Sequence, residues 1–404
     1  MTLQRMTQSL ARGTPAWLLA TLMIGLSAQG LAFTAFVAAL PQMALDFGER
    51  GEFTAQMTMA LLALGLMIGS LVSGWILEQL GTRTTMLISL VIYTLCGLAG
   101  VVLNDPTSLL ASRFAAGVAV ACMVTTCIWG IAAEYEGDRR ARILGLNSSL
   151  SNVSALAGTV LGGYLAHTVG WHFAFAQYVV FGLGALLLAF VGIRQTKPQP
   201  VASGAPRQSQ FTKLLPLYLL AALLFCILFM ASTQFSFALR DNGVGNPLVR
   251  SLILGTVTVV GALMAFAYGP LQQRLGVLGT FLFGILCMAV ALAINGFGLG
   301  IDTPFAVIAA ALMGVYAGLV IPYLYHTVTE HTDEGARSRA IGAVTAFGFF
   351  GGFLNPPVFV ALSKELGLRT TFLVAAAILI VVAIGTALKM TRAGNPVPDR
   401  SISH

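Results

Sequence analysis

The chain has 404 residues, of which 57% are hydrophobic and only 9% charged, and its mean hydropathy is +0.86. A soluble domain carries roughly 25% charged residues, so a water-soluble fold is excluded and much of the apolar surface must face lipid. The net charge of +7 is spread over short connections and forms no continuous basic stripe, which argues against a nucleic-acid partner and reads as a membrane-topology signal.

A bilayer-crossing helix needs about 20 mainly apolar residues. The first such segment, 16–40, follows Arg5 and Arg12; it is too long for a leader's apolar core and is read as the first span. Further segments run 56–77, 85–103, 107–132, 145–168, 172–193, 214–239, 248–271, 277–298, 304–328, 339–362 and 369–390. Turn signals separate them, among them Asn104-Asp105-Pro106, Asp241-Asn242-Gly243 and Asp302-Thr303-Pro304. The longest polar interruption, 195–213, holds Pro198, Pro200 and Pro206 and falls almost at the middle. The predicted fold is therefore an all-α integral membrane protein with 12 transmembrane helices in two pseudo-symmetric six-helix bundles. Residues 1–194 make the N-terminal bundle, 195–213 a cytoplasmic linker, and 214–404 the C-terminal bundle with a short cytoplasmic tail.

An internal repeat supports that division. Gly74, Leu80 and Gly81 recur as Gly269, Leu275 and Gly276, an offset of 195, and Arg140-Ala-Arg-Ile-Leu-Gly145 recurs as Arg337-Ser-Arg-Ala-Ile-Gly342, an offset of 197. Sixteen of the 22 Lys and Arg residues fall on the side of the termini and the linker, five on the opposite side, and Arg113 lies within a span. By the positive-inside rule both termini are cytoplasmic in a bacterial-type inner membrane. The five cysteines all sit in apolar segments without a CxxC pair, so neither a disulfide framework nor a metal centre is expected.

Chemistry-bearing positions are few. The loop Gly74-Trp-Ile-Leu-Glu78-Gln-Leu-Gly81-Thr-Arg83 resembles the signature loop of the major facilitator superfamily, with Glu78 where Asp is usual. The resemblance implies that Glu78 and Arg83 take part in a charge latch that forms in one conformation and opens in another. The fourth span opens Leu109-Leu-Ala-Ser-Arg113-Phe-Ala-Ala-Gly117, similar to the family's membrane-arginine motif. A guanidinium in hydrocarbon costs at least ~2.5 kcal/mol, so Arg113 should face a cavity or a partner, unless it snorkels to the headgroups. Gly158-Thr-Val-Leu-Gly162-Gly163 resembles the family's antiporter motif, with Thr159 in place of proline. Together these motifs imply two bundles around a central cavity that opens alternately to each side.

In the spans that line such a cavity, Gln29, Phe33 and Phe36 share one helical face. Gln234, Phe235, Tyr316, Tyr323 and Asn355 are the other candidate substrate contacts, Asn355 standing beside Pro356 and Pro357, which should kink the helix. Helix-to-helix packing is the alternative role for each. No Asp or Glu occupies the middle of a span, so Arg113 favours an anionic or carboxylate-bearing substrate. Glu134, His326 and Glu330 are candidate gating or coupling groups at cytoplasmic ends, since histidine titrates in the useful range.

These residues point to a secondary transporter working by alternating access, in which protons drive export of a small amphiphilic or anionic organic molecule. An importer of the same fold and a non-transporting sensor are the alternatives. No catalytic constellation or phosphate-binding loop appears, so no enzyme, no cofactor and no nucleic-acid partner are expected, and a monomer in a lipid bilayer is the simplest assembly.

Overall fold

The computed structural model describes residues 16–193, 196, 208–298, 303–333 and 337–393; Arg5, Arg12, Asp302, most of the 195–213 linker and the tail beyond 393 lie outside them. Those residues are almost entirely helical, and no strand occurs among them. The long helices are α1 (Ala16–Thr34), α2 (Gly51–Leu80), α3 (Thr82–Val102), α4 (Pro106–Glu134), α5 (Gly137–Thr168) and α6 (Ala176–Gly192) in the first half. The second half has α7 (Gln208–Asp241), α8 (Pro247–Gly296), α9 (Thr303–Glu330), α10 (Arg337–Asn355) and α11 (Leu368–Ala393). We call the end of the bundle carrying Leu80, Glu134, Gly192, Gln208 and Glu330 the linker face, and the other end the distal face.

Among the described residues, ten helices are long and apolar enough to cross a bilayer. The difference from the expected twelve has two physical sources. α8 runs for 50 residues, but Gly276 adopts φ 74° and ψ 171°, which breaks it into rods 247–275 and 277–296. α5 is long enough at 32 residues, yet its linker-face portion holds Asn147, Ser151 and Asn152 and is too polar to count. The break in α8 has a twin in the first half. Gly81, the glycine matched to Gly276, ends α2 at φ 77° and ψ 170°. Only glycine takes this conformation without strain, so the repeat is written in the backbone as well as in the letters.

Large apolar side chains such as Leu71, Val180, Leu187, Phe266 and Val381 stand exposed on the outer surface, as a lipid-facing wall requires. Inside, small residues set the spacing between helices. A Cβ at Gly65 or Gly117 would come within 2.2–2.3 Å of a backbone carbonyl oxygen of the facing helix, so α2 and α4 touch backbone to backbone. At the start of α4, Asp105 accepts from the Ser108 amide and hydroxyl, both at 2.8 Å. These bonds hold its carboxyl below the usual carboxylate range. The capping contribution is therefore present above the ordinary carboxylate pKa and is lost as pH falls through the lowered one.

Two spans are interrupted within their length. The first runs from Trp17 to Asp46, but its helix ends at Thr34 and the chain passes through a 3-10 turn at Val37–Ala39 into a short helix, Leu40–Asp46. The proline pair after Asn355 makes a π-helical turn, Pro356–Val360, that continues into the short helix Ala361–Leu366.

Candidate functional site between the two halves

Between the bundles, Phe33 of α1 stacks on Phe349 of α10 (centroids 5.9 Å, 11°) and meets Phe229 of α7 edge-on (5.3 Å, 66°). Each such ring pair contributes about 0.5–1.5 kcal/mol beyond its buried area. Phe33 is only partly buried and so retains open surface on the half-to-half boundary; Gln29, one turn before it on α1, is also partly buried. Phe36 does not join them. Because α1 stops at Thr34, its ring turns back into the first half and packs on Phe175 at 4.9 Å.

Toward the distal face the halves are tied together by hydrogen bonds. The Gln234 amide of α7 donates to Gln56 of α2 at 3.3 Å, and the Ser236 hydroxyl donates to the Val37 carbonyl at 2.9 Å. Arg250 of α8 is 1% exposed and binds carbonyl oxygens only. Its Nε and Nη2 donate across the boundary to Ala38 at 3.2 and 3.1 Å, while Nη1 donates to Val244 and Gly245 at 3.1 and 3.0 Å. At the rim Arg240 pairs with Glu52 of the first half at 3.4 Å and with its neighbour Asp241 at 2.8 Å. A cleft of about 260 Å³ opens beside this pair, bordered by Glu49, Glu52, Phe53, Arg240 and Lys364. All of these cross-half bonds sit on the distal side of the Phe33 cluster.

The remaining candidates lie deeper in their own halves. Asn355 is 1% exposed and donates to the Thr233 hydroxyl at 3.1 Å, while its side-chain oxygen has no hydrogen-bond partner. Phe235 is fully buried, the Tyr316 phenol donates to the Leu224 carbonyl at 2.9 Å, and Tyr323 stacks on Phe281 at 4.0 Å. The two tyrosines thus pair with groups of the second half.

Arg113 is likewise enclosed, with no exposed surface. Its guanidinium donates to the Cys96 carbonyl of α3 and, at 3.3 Å, to the Ser112 hydroxyl. It lies over the rings of Phe175 and Tyr178, at 4.4 and 5.1 Å from their centroids. Of the cavity or partner expected for it, the structure supplies partners: a carbonyl and two π faces hold it among α3, α4 and α6. Nη1 has no partner. Replacing Arg113 by methionine should therefore lower thermal stability, since the charged donor's bond to the Cys96 carbonyl, about 1.5–3 kcal/mol, is lost. Differential scanning fluorimetry of the purified variant in detergent checks this.

At the linker face the signature loop forms no latch within its own half. Glu78 is exposed and has no ion-pair partner among the described residues. Arg83 instead donates to the Phe190 carbonyl at 3.1 Å and lies over the Phe190 ring at 5.3 Å. Glu134 borders a small cavity of about 60 Å³ with Leu22, Thr82, Trp129 and Thr196. His326 of α9 lies 3.4 Å from Glu330 and 3.2 Å from Gln272 of α8.

Gly162 and Gly163 acquire a definite role. A Cβ at Gly162 would lie 1.8 Å from the Ala35 carbonyl oxygen, and one at Gly163 would lie 2.3 Å from Ser251, across the half-to-half boundary. The motif thus lets α5 approach α1 on one side and α8 on the other.

Sequence reasoning missed Arg250, Gln56, Phe229 and Phe349. Arg250 had a usable signal, a lone guanidinium three residues after the Pro247 that opens an apolar run, the same pattern that drew attention to Arg113.

The family model for the Major Facilitator Superfamily matches residues 22–248 and 242–403. The chain belongs to the major facilitator superfamily. Among curated relatives, the MFS-type transporter grgE of a Penicillium species is 28% identical over 187 residues, 46% of this chain and 32% of that one. The multidrug resistance protein MdtM of Salmonella typhimurium is 26% identical over 160 residues, 38% of each chain. The multidrug resistance protein MdtL of Citrobacter koseri is 21% identical over 188 residues, 46% of this chain and 48% of that one. The chain thus matches about a third to a half of the length of these relatives. Among solved structures, the peptide transporter POT in complex with sulfate superposes with a TM-score of 0.76 at 13% identity, covering 93% of this chain and 95% of that one. The nucleoside transporter NupG gives 0.72 at 12%, covering 92% and 98%. These likenesses carry the fold of this multi-pass transporter family.

Proposed function

We propose that this superfamily member is a proton-coupled exporter of small amphiphilic organic molecules, in which bundles 1–194 and 214–404 rock against each other about a central site. The observation that carries the reading is the stitching of the two halves on the distal side of the Phe33 cluster. There the side chains of Gln234, Ser236 and Arg250 hydrogen-bond across the boundary, as a state closed to that side requires. With both termini and the linker in the cytoplasm of a bacterial-type inner membrane, this state is closed to the outside. A monomer suffices, and the family is one of transporters, for which no resident cofactor is needed.

Gln29 and Phe33 are the groups we assign to the cargo, because Phe33 keeps exposed surface at the boundary and Gln29 lies one turn before it on α1. Gln234 and Asn355 frame the site on its distal side, and Phe235, Tyr316 and Tyr323 support it from within the second half. The anionic alternative for the cargo rested on Arg113, whose enclosure in the first half removes a free cation from the boundary. We therefore favour an amphiphile whose apolar part stacks on the phenylalanines. The gating and coupling roles go to Glu78 and Arg83 in the signature loop and to Glu134, His326 and Glu330 at the linker face.

The test is uptake of three fluorescent amphiphiles, one anionic, one neutral and one cationic, into everted vesicles under an imposed pH gradient, acid inside. Accumulation of at least one of them that collapses with a protonophore is expected; gradient-independent fluxes for all three would overturn the reading. Phe33→Ala should raise KM for the transported dye about two- to tenfold with little change in maximal rate, as loss of one ring face for the cargo to stack on, about 0.5–1.5 kcal/mol, implies.

A further inference from the structure

We propose that Asn355 and Gln56 together receive the polar end of the cargo, and that this end is an uncharged group carrying both a hydrogen-bond donor and an acceptor, such as a primary carboxamide. This deepens the transport reading above and rests on its assignment of the phenylalanine cluster to the cargo; recognition of the polar end is measurable by binding, without transport.

Two buried side-chain atoms near the boundary have no hydrogen-bond partner: Oδ1 of Asn355, an acceptor, and Nε2 of Gln56, a donor. Asn355 is 1% exposed and Gln56 0%. Neither carboxamide is free to turn. The Thr233 hydroxyl gives its hydrogen to helix carbonyls, Phe229 at 2.9 Å and Met230 at 3.2 Å, so toward Asn355 its oxygen accepts, and it takes the amide at 3.1 Å. That leaves Oδ1 over. Gln56 uses its oxygen to accept the Gln234 amide at 3.3 Å, which leaves its own N–H groups over. Thr233 and Gln234 are neighbours on α7, and α2 packs along α10 and its π-helical turn, so the two unmet atoms belong to one network that crosses the boundary.

The backbone beside Asn355 adds to the demand for a donor. Pro356 and Pro357 carry no N–H, so the Gly352 carbonyl has neither an α-type nor a π-type donor ahead of it. Gly352 also places the network relative to the rings, because a Cβ there would lie 2.9 Å from the Phe229 ring. Thr233 stands one turn beyond Phe229 on the same face of α7, toward the distal face. The Asn355 carboxamide is thus about one helical turn past the rings on which the cargo's apolar part stacks.

The chemistry of the two atoms selects the head group. A buried polar atom without a partner is costly, and a ligand that supplies the partner removes that cost. A carboxamide or hydroxyl offers a hydrogen to Asn355 and an oxygen to Gln56, and so joins the two halves. A cation would meet the Gln56 donor and an anion the Asn355 oxygen, so either charge repels one of the two groups and gives up its hydration besides. The internal repeat argues against a packing role. At the offset of 197 that relates the starts of α5 and α10, the first half has Gly158 where the second has Asn355. The repeated helix is therefore built without a carboxamide at that position.

The experiment uses the full-length protein in lipid nanodiscs and three naphthyl dyes that differ only in the head: a primary carboxamide, its N,N-dimethyl form, which keeps the oxygen and lacks N–H, and a trimethylammonium. Fluorescence titration should give a Kd for the primary carboxamide about tenfold below the other two. In Asn355→Leu the advantage over the dimethyl form should vanish. Leucine keeps the shape, so a preference owed to the bulk of the methyl groups would survive the substitution. In Gln56→Met both amides should weaken together, by about threefold or more, with their ratio unchanged. A ratio near one in the wild type, or one that persists in Asn355→Leu, overturns the proposal. If Asn355→Leu does not fold, Thr233→Val takes its place: it removes the acceptor that orients the carboxamide and should cut the ratio about threefold, and an unchanged ratio is equally fatal. In everted vesicles the carboxamide dye should be taken up under the pH gradient. If it binds with the expected preference but no dye accumulates, export falls and the head-group site stands. If dyes accumulate without preference among heads, export stands and the head-group site falls.

Discussion

Replacing Arg250 by alanine is expected to unlock the distal face. The wild-type guanidinium spans the boundary with two bonds to the Ala38 carbonyl and anchors itself with two more to Val244 and Gly245. A hydrogen bond from a charged donor contributes about 1.5–3 kcal/mol, so losing the two cross-boundary bonds shifts the closed-to-open balance by roughly 3 kcal/mol or more, on the order of a hundredfold. All five native cysteines are buried, so a single cysteine introduced at Ser236 in a cysteine-free background reports on this surface alone. A membrane-impermeant maleimide applied from the distal side should label Ser236→Cys slowly, and at least tenfold faster once Arg250→Ala is added. Equal rates would show that the aromatic cluster and the other ties hold the face shut by themselves. Arg250→Lys should behave almost like alanine, since a single ammonium cannot reproduce a planar fork that reaches three carbonyls at once.

The second large effect is expected at Gly162 and Gly163, adjacent on α5 and yet distinguishable. Gly162→Val places its first side-chain carbon 1.8 Å from the Ala35 oxygen, inside the first half. Relief requires α1 and α5 to separate, and overpacking of a tight core costs about 1–3 kcal/mol or more, so low yield and a depressed melting temperature should follow. Gly163→Val instead meets Ser251 at 2.3 Å and the Pro247 carbonyl, both on the other half. Each half can fold around that residue, but the distal face cannot fully close, so maleimide labelling should rise while melting of the separate bundles is little changed. Gly145, on the same helix with open space around it, is the control: Gly145→Val should leave both measurements near wild type. If Gly163→Val were as unstable as Gly162→Val and left labelling unchanged, the assignment of Gly163 to the moving boundary would fail.

Much of the architecture was readable because a bilayer leaves a chain little choice. Lipid offers no hydrogen-bond partner to an unpaired peptide group, so apolar stretches of about 20 residues become helices whatever their detailed sequence. The repeat was readable for a related reason: Gly81 and Gly276 must both adopt a backbone that other residues avoid. The site was less legible. Arg113 announced itself as a charge in an apolar run, but beyond the adjacent Ser112 hydroxyl its partners are a Cys96 carbonyl and two ring faces on other elements, and these leave no mark near Arg113 in sequence. Phe235, Tyr316 and Tyr323 were candidates because they lie in cavity-lining helices, yet helical spacing says only that side chains share a face. Which face meets the other half depends on helix rotation, which is fixed by close approaches such as Gly314 against the Val257 carbonyl. Gln56 and Arg250 sit at the edges of apolar segments, where polar residues are expected to be loop residues, and their burial arises only when the two halves meet.

The acceptors that hold Arg250 have a consequence for how this protein can diverge. Every one of them is a main-chain oxygen, present whichever amino acid is encoded at positions 38, 244 and 245. Substitutions at those three codons that preserve the turn leave the lock intact, whereas one missense change at codon 250 abolishes it. The contribution of this tie is therefore concentrated in a single codon, and drift at the three acceptor positions needs no compensating partner substitution.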